Sequence, residues 1–121
     1  MKQKFAHIDL SYLQKHSQGN RSIEKQMLTI YLKEIPEAIN KLNIGLLEKN
    51  WFKIGKAAHR AKSILPTIGL VEAANDLTEI DRLCRKSENP DEVQALIAGF
   101  EKIGNASLTE INQALEDYHD I

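Results

Sequence analysis

The sequence predicts an all-α protein, an antiparallel up-down four-helix bundle with a short accessory helix at the N-terminus. Apolar residues recur at spacings of three and four, which places them on one face of a helix. Only three prolines and six glycines occur in 121 residues, and no run of Val, Ile or Thr alternates with the period of two typical of strands. Short connections between long amphipathic segments favour antiparallel neighbours.

Cap residues mark where the first helices begin. Asp9 is expected to cap a short helix that ends near His16, and residues 17–19 form a break. Asn20 caps a long second helix, whose apolar residues recur as far as Leu46. Pro36 lies within that helix and predicts a kink or a division near residues 33–35, because proline lacks an N–H and its ring clashes with the preceding turn.

Three further helices complete the bundle. The third is predicted over about 50–66, capped by Asn50, and its buried face is Ile54, Ala58, Ala61, Leu65 and Ile68. The fourth carries the apolar series Leu70, Ala73, Leu77, Ile80 and Cys84. The fifth opens at Asn89-Pro90-Asp91-Glu92, a cap residue followed by a proline in the first turn. We therefore expect one domain spanning residues 1–121.

Composition narrows the class of protein. A single cysteine excludes an internal disulfide, and with no signal peptide the chain is expected in the reducing cytoplasm. No apolar run reaches the roughly 18 residues of a membrane span. The net charge of -1 argues against a protein that coats nucleic acid.

Charge is unevenly distributed along the chain. The segment 49–71 contains five basic residues and no acidic one, namely Lys49, Lys53, Lys56, Arg60 and Lys62. Such a block is compatible with an ordinary solvated face or with a docking surface for an acidic partner, and the sequence leaves both interpretations open.

His59 lies on the side of the predicted third helix that faces away from the core. At about 100° per residue, it falls about 130° from the mean direction of the apolar seam. The residues on the same exposed stripe are Phe52, Gly55, Lys56, Lys62, Ser63 and Pro66. An ordinary surface histidine is one interpretation. The other is a nucleophilic imidazole with a lysine one turn away to offset phosphoryl charge.

The segment around His59 resembles the phosphorylation motif of histidine-phosphotransfer (HPt) domains. That motif has a histidine, a lysine three residues later, a small residue next and a glycine ten residues after the histidine. His59, Lys62, Ser63 and Gly69 match it in order, although Ser63 stands where the family usually has glycine. The resemblance extends to four other stretches of the chain, at residues 9–13, 31–36, 50–51 and 73–81.

The resemblance implies a phosphorelay intermediate with no kinase or ATPase activity of its own. His59 would accept a phosphoryl group from a receiver-domain aspartate and pass it to another receiver, while Lys62 stabilises its charge. The receivers, one from a hybrid histidine kinase and one from a downstream regulator, would dock on Phe52, Gly55, Lys56, Ser63 and Pro66. We expect no cofactor in this chain, with Mg²⁺ on the partner receiver, and a monomer that binds neither nucleic acid nor membrane.

Two alternatives belong to other classes of function. The chain could be a non-catalytic helical adaptor or antagonist that binds receiver or kinase domains while His59 stays unphosphorylated. A metal or cofactor bundle is disfavoured, since no histidine or cysteine shares a metal-ligand spacing with His59.

Several other residues carry structural expectations. Cys84 is expected in the core and Trp51 is expected to be buried, with Phe52 exposed for docking. The charged residues of the fourth helix are expected to form a solvated face: Glu79, Asp81, Arg82, Arg85 and Lys86.

Overall fold

The computed structural model describes residues 5–121, and the regular secondary structure of these residues is helical. The helices are α1 Ser11–Ser17, α2 Arg21–Leu47, α3 Trp51–Ala61, α4 Val71–Lys86 and α5 Pro90–Leu115. Two short 3-10 turns, Leu65–Ile68 and Glu116–Tyr118, follow α3 and α5. Residues 1–4 of the predicted domain lie outside the described part of the chain.

The four long helices pack as a closed ring. Helix α2 contacts α3, α3 contacts α4, α4 contacts α5, and α5 returns to α2. Helix α1 lies against α2 and the 3-10 turn Leu65–Ile68. The prediction of an all-α bundle with an accessory N-terminal helix is confirmed. None of the helices in residues 5–121 is long and apolar enough to cross a bilayer.

One continuous core fills the space between the long helices. Its largest fully buried side chains are Tyr31, Phe100, Leu28, Ile35, Leu42, Ile54, Leu65, Ile68, Leu77, Ile80, Ile97 and Ile111. Burying one such side chain contributes about 1.5–3 kcal/mol relative to leaving it in water. The apolar side chains that recur at helical spacing are therefore the ones whose burial stabilises the bundle, as the periodicity predicts.

Asparagine side chains cap two of the long helices as predicted. Asn20 Oδ1 accepts a hydrogen bond from the Ile23 N–H at 3.1 Å, and Asn50 Oδ1 accepts one from the Lys53 N–H at 3.0 Å. Each bond satisfies an N–H that the first helical turn leaves without a partner. At α5 the cap differs, because Asn89 adopts φ 53 and its side-chain amide donates to Glu92 Oε2 at 3.0 Å instead.

Helix α2 runs through Pro36 without a break, so of the two expected outcomes, a kink or a division near residues 33–35, the division does not occur. Pro36 is exposed, whereas Ile35 and Ala38 on either side of it are buried. The backbone carbonyl of Leu32, which proline cannot satisfy, is therefore on the solvent side of the helix. Burial of the flanking apolar residues maintains the helix across the missing hydrogen bond.

Helix α3 ends at Ala61, five residues before the predicted end at Pro66. Proline at position 66 cannot donate to the carbonyl of Lys62, and its ring crowds that turn, so the chain leaves the helix earlier than the apolar seam suggests. The 3-10 turn Leu65–Ile68 follows, and its C-cap is Gly69, which has φ +82. A Cβ on Gly69 would lie 2.7 Å from the backbone nitrogen of Asp9, so the glycine lets the N-terminal segment cross here.

Glu110 attaches this N-terminal segment to α5. Its Oε1 accepts hydrogen bonds from the backbone N–H groups of His7 at 2.9 Å and Ile8 at 3.0 Å, and Oε2 pairs with the His7 ring. Burial of the carboxyl alone would raise its pKa, but the bonds from Ile8 and His7 together hold the pKa of Glu110 below its ordinary value. Glu110 is therefore a buried, ionised side chain that holds the N-terminal segment on α5.

Candidate functional site

His59 lies near the C-terminal end of α3 with its ring open to solvent. Its side chain is 58% exposed, while its neighbours Ala58 and Ala61 are buried in the core. The helix thus turns its apolar face inward and presents the imidazole to any molecule that approaches from outside.

Asp81 on the neighbouring helix α4 contacts the same imidazole. Its Oδ2 lies 3.1 Å from His59 Nδ1, and its carboxylate also accepts hydrogen bonds from Arg85 Nε at 3.0 Å and Nη2 at 3.2 Å. The Asp81 side chain is only 9% exposed. The expectation that Asp81 belongs to a solvated face is wrong, because it lies at the α3–α4 contact.

The helical register of α4 contains the signal for this placement. Asp81 follows Leu77 by four residues and precedes Cys84 by three, and both belong to the predicted apolar series. Residues at these spacings share a face, so a carboxylate between them is directed toward the interior. A buried carboxylate needs a partner, and here the partners are His59 and Arg85.

Gly55 brings α3 and α4 close enough for the His59–Asp81 contact. Contrary to the expectation that it lies on the exposed stripe, Gly55 is buried against α4. An added Cβ would lie 3.2 Å from Cys84 Cβ and 3.5 Å from Asp81 Oδ1. The first distance is shorter than an ordinary carbon–carbon contact of about 3.5–4.0 Å. The absence of a side chain at position 55 therefore sets the separation of the two helices one turn before His59.

An open cleft of about 640 Å³ lies beside His59, between α3 and α4. Its walls are Trp51, Phe52, Gly55, Lys56, His59, Asp81, Cys84, Arg85 and Ser87. Phe52 is largely exposed, as expected for a docking residue. Trp51 is only half-buried, whereas the sequence predicts that it is buried. The cleft combines aromatic surface, cations and the imidazole in one place.

The remaining predicted site residues lie beyond the end of α3. Lys62 is the C-cap, the first residue after α3; its N–H donates to the Ala58 carbonyl at 3.1 Å, and its side chain is half-buried. Ser63 and Pro66 are exposed, but neither lines the cleft. Phe52, Gly55 and Lys56 thus lie with His59 on one side, and Ser63 and Pro66 lie past its C-terminal side.

Cys84, at the floor of the cleft, is buried as predicted. Burial, with the neighbouring Asp81 charge, raises the pKa of its thiol to about 11. A neutral buried thiol is a poor nucleophile and a poor metal ligand. Within residues 5–121 no three His, Cys, Asp or Glu side chains are grouped so that they could hold a metal ion.

Comparison with known proteins agrees with this architecture at the level of the fold. No protein-family model and no curated protein sequence matches the chain. The chain is similar to a solved structure described as the HPt domain from the Hpt sensor hybrid histidine kinase from Shewanella, with a TM-score of 0.78. The two chains are 13% identical, and the match covers 91% of this chain and 94% of that one. The protein therefore has the fold of a histidine-phosphotransfer domain, the fold that the motif around His59 predicts.

Proposed function

We propose that this protein is a histidine-phosphotransfer module that carries a phosphoryl group on Nε2 of His59 between receiver domains of a phosphorelay. The observation that carries the proposal is the environment of the imidazole. His59 Nδ1 lies 3.1 Å from Asp81 Oδ2, while the His59 side chain is 58% exposed. Nε2 has no hydrogen-bond partner among residues 5–121, so it is the nitrogen that an incoming phosphoryl group can reach.

The transfer needs little from this chain beyond the nucleophile. Nε2 attacks the phosphorus of an aspartyl phosphate on the receiver, so an N–P bond forms and the P–O bond to the aspartate breaks. The aspartate leaves as a carboxylate with the electron pair. Transfer to a second receiver is the same step in reverse. Phosphoryl transfer depends mainly on positioning and on charge stabilisation, and the receiver would supply its Mg²⁺.

The cations of α3 favour a receiver as the partner. Lys56 is exposed in the wall of the cleft and makes no ion pair within the described residues. Lys62 is half-buried one turn after His59. A receiver presents an acidic pocket around its phosphorylated aspartate, so complementary charge would steer the encounter. Docking would involve Phe52, Lys56, Ser63 and Pro66, with Lys62 close to the phosphoryl oxygens.

The two receivers would be that of a hybrid histidine kinase and that of a downstream regulator, as the resemblance in sequence implies. Because such receivers face the cytoplasm, we assign the chain to that compartment. A single bundle that presents one histidine is sufficient for the transfer, so we expect a monomer.

The test is phosphoryl transfer from a radiolabelled phosphorylated receiver to the purified protein. We expect an acid-labile label on the wild type and none on His59→Gln. The thermal unfolding midpoint should change little, because the His59 side chain is 58% exposed and Arg85 still pairs with Asp81. His16→Gln is the matched control, since His16 is also exposed on a helix but lies on α1. Label retained by His59→Gln would refute the assignment. Receiver binding by a wild type that never acquires label would instead support a non-catalytic adaptor.

A further inference from the structure

A groove of about 570 Å³ lies between α2 and α3, whereas the cleft beside His59 lies between α3 and α4. We propose that this groove docks an amphipathic α-helix of a second protein other than the receiver, and that the docked helix competes with receivers for Lys56. The docking is measurable whether or not the protein transfers phosphate. The competition rests on the proposed function.

Both walls of the groove repeat with the spacing of a helix-packing seam. On α2 the lining residues follow one another at intervals of four, three, four and three: Ile30, Glu34, Glu37, Lys41 and Ile44. On the opposite wall a row with intervals of four, three and four consists of Lys53, Ala57, Arg60 and Ile64. Side chains at these spacings form the rows between which the side chains of another helix pack. The shape of the groove therefore matches a helix.

An apolar surface runs along the groove from one end to the other. Ile30 is 44% exposed and Ile44 is 39% exposed, while Ala38, Ala57 and Ala61 leave room between them for a backbone to approach. The two isoleucines are 14 residues apart on α2, which is about 21 Å at 1.5 Å per residue. The groove thus accommodates about four turns of a docked helix.

The two walls carry opposite charges, and these charges define the chemistry of the occupant. Glu34 and Glu37 lie on α2, whereas Lys56 and Arg60 lie on α3. Lys41 Nζ is 3.1 Å from Glu37 Oε1, and its hydrogen bond and charge hold the pKa of Glu37 below the ordinary value. Glu37 therefore stays charged. A helix with a basic flank toward α2 and an acidic flank toward α3 complements both walls.

The surface of a receiver complements only one of these walls. The pocket around a receiver's phosphorylated aspartate is acidic, so Glu34 and Glu37 would repel it while Lys56 attracts it. Lys56 lines both the groove and the cleft beside His59. A helix in the groove would therefore cover a cation that steers receivers to His59.

Fluorescence anisotropy with a designed peptide tests the docking. The probe is a helical peptide of about 16 residues with leucines at intervals of three and four, glutamates along one flank and lysines along the other. It should bind at least about tenfold more tightly than a scrambled peptide of the same composition, which has no apolar face. Equal affinities of the two peptides would overturn the proposal.

Variants of the exposed isoleucines locate the binding site. Ile30→Ser and Ile44→Ser should each weaken binding of the probe about fivefold or more, because each removes apolar surface that the docked helix covers. Val71→Ser is the matched control, since Val71 is also exposed but lies on α4 and does not line the groove. Wild-type affinity in both isoleucine variants would show that the peptide binds elsewhere and would refute the proposal.

The direction of the bound peptide tests the role of the charged walls. Exchanging the glutamate and lysine flanks of the probe should reverse its direction in the groove, because each flank must still face the opposite charge. With a spin label at the N-terminus of each peptide, one peptide should broaden the NMR methyl signals of Ile30 and the other those of Ile44. Broadening of the same isoleucine by both peptides would contradict the charge complementarity.

Single-turnover transfer from a phosphorylated receiver tests the competition. Saturating probe should slow transfer about tenfold at low salt, with a smaller effect at high salt. An unchanged rate with the probe bound would refute the competition. The affinity measurement needs no phosphate, so it stands even if the wild type acquires no label. If Ile30→Ser and Ile44→Ser slow transfer without the probe as strongly as they weaken its binding, the groove belongs to the receiver interface and a separate partner is excluded.

Discussion

Replacing Gly55 with alanine should reveal how closely α3 and α4 must approach. The added methyl would lie 3.2 Å from Cys84 Cβ, so the helices must separate by a few tenths of an ångström to reach an ordinary contact. Overpacking of this kind costs about 1–3 kcal/mol. Alanine also gains about 1 kcal/mol over glycine in helix propensity. The sum predicts that the free energy of unfolding falls by roughly 0–2 kcal/mol.

Gly99→Ala supplies the reference for the propensity term. Gly99 lies within α5, is exposed, and would have nothing within 4 Å of an added Cβ. This variant should therefore gain the full propensity term, about 1 kcal/mol of stability. Denaturation in urea measures both variants on one scale, and the difference between them isolates the cost of overpacking.

The same substitution should affect the site more than the fold. Separation of α3 from α4 lengthens the 3.1 Å contact between His59 and Asp81, which is one turn away. We expect slower phosphoryl transfer by Gly55→Ala even if its stability is close to that of the wild type. If Gly55→Ala stabilises the protein as much as Gly99→Ala does, the helices are not held in close contact and the argument fails.

Three further outcomes are expected. Lys62→Ala should slow transfer about ten- to a hundredfold, because a cation beside the phosphoryl group is lost, and Lys62→Arg should recover part of it; a wild-type rate at low salt would exclude this role. Ser63→Trp should block transfer without changing the thermal midpoint, since Ser63 is exposed, and an unchanged rate would mean that the receiver approaches from another side. Glu110 has a folded-state pKa below its unfolded value, so it stabilises the protein above the unfolded pKa of about 4.3 and less as pH falls through the folded pKa. Glu110→Gln should therefore cost about 1–3 kcal/mol in urea denaturation at pH 7 and less at pH 3, and an equal cost at both would contradict this.

Local chemistry explains why most of the fold was predictable. The caps at Asn20 and Asn50 depend on residues only three positions apart, and the apolar spacing of each helix is equally local. Both can therefore be predicted from the sequence. The sequence predicts an end of α3 that is five residues too late, because the apolar spacing continues through Leu65, where the backbone forms a 3-10 turn. Pattern alone does not distinguish these two conformations.

The candidate site was predictable only where its residues share one helix. His59 and the exposed Phe52 and Lys56 follow from the register of α3. Asp81 is 22 residues away in sequence from His59, and their contact depends on how α3 and α4 are aligned and how closely they pack. The separation of the two helices is set by Gly55, which the sequence predicts on the exposed stripe as a docking residue.

The half-buried Trp51 in the wall of the cleft also provides an intrinsic fluorescence probe of binding. It is the one tryptophan of the chain and lines the same cleft as His59 and Phe52. A receiver that covers Phe52 would change the polarity around the indole and so shift the wavelength and intensity of its emission. Tryptophan fluorescence of the unlabelled protein would then measure the affinity and association rate of a tryptophan-free receiver. Phe52→Ala should weaken the change in fluorescence.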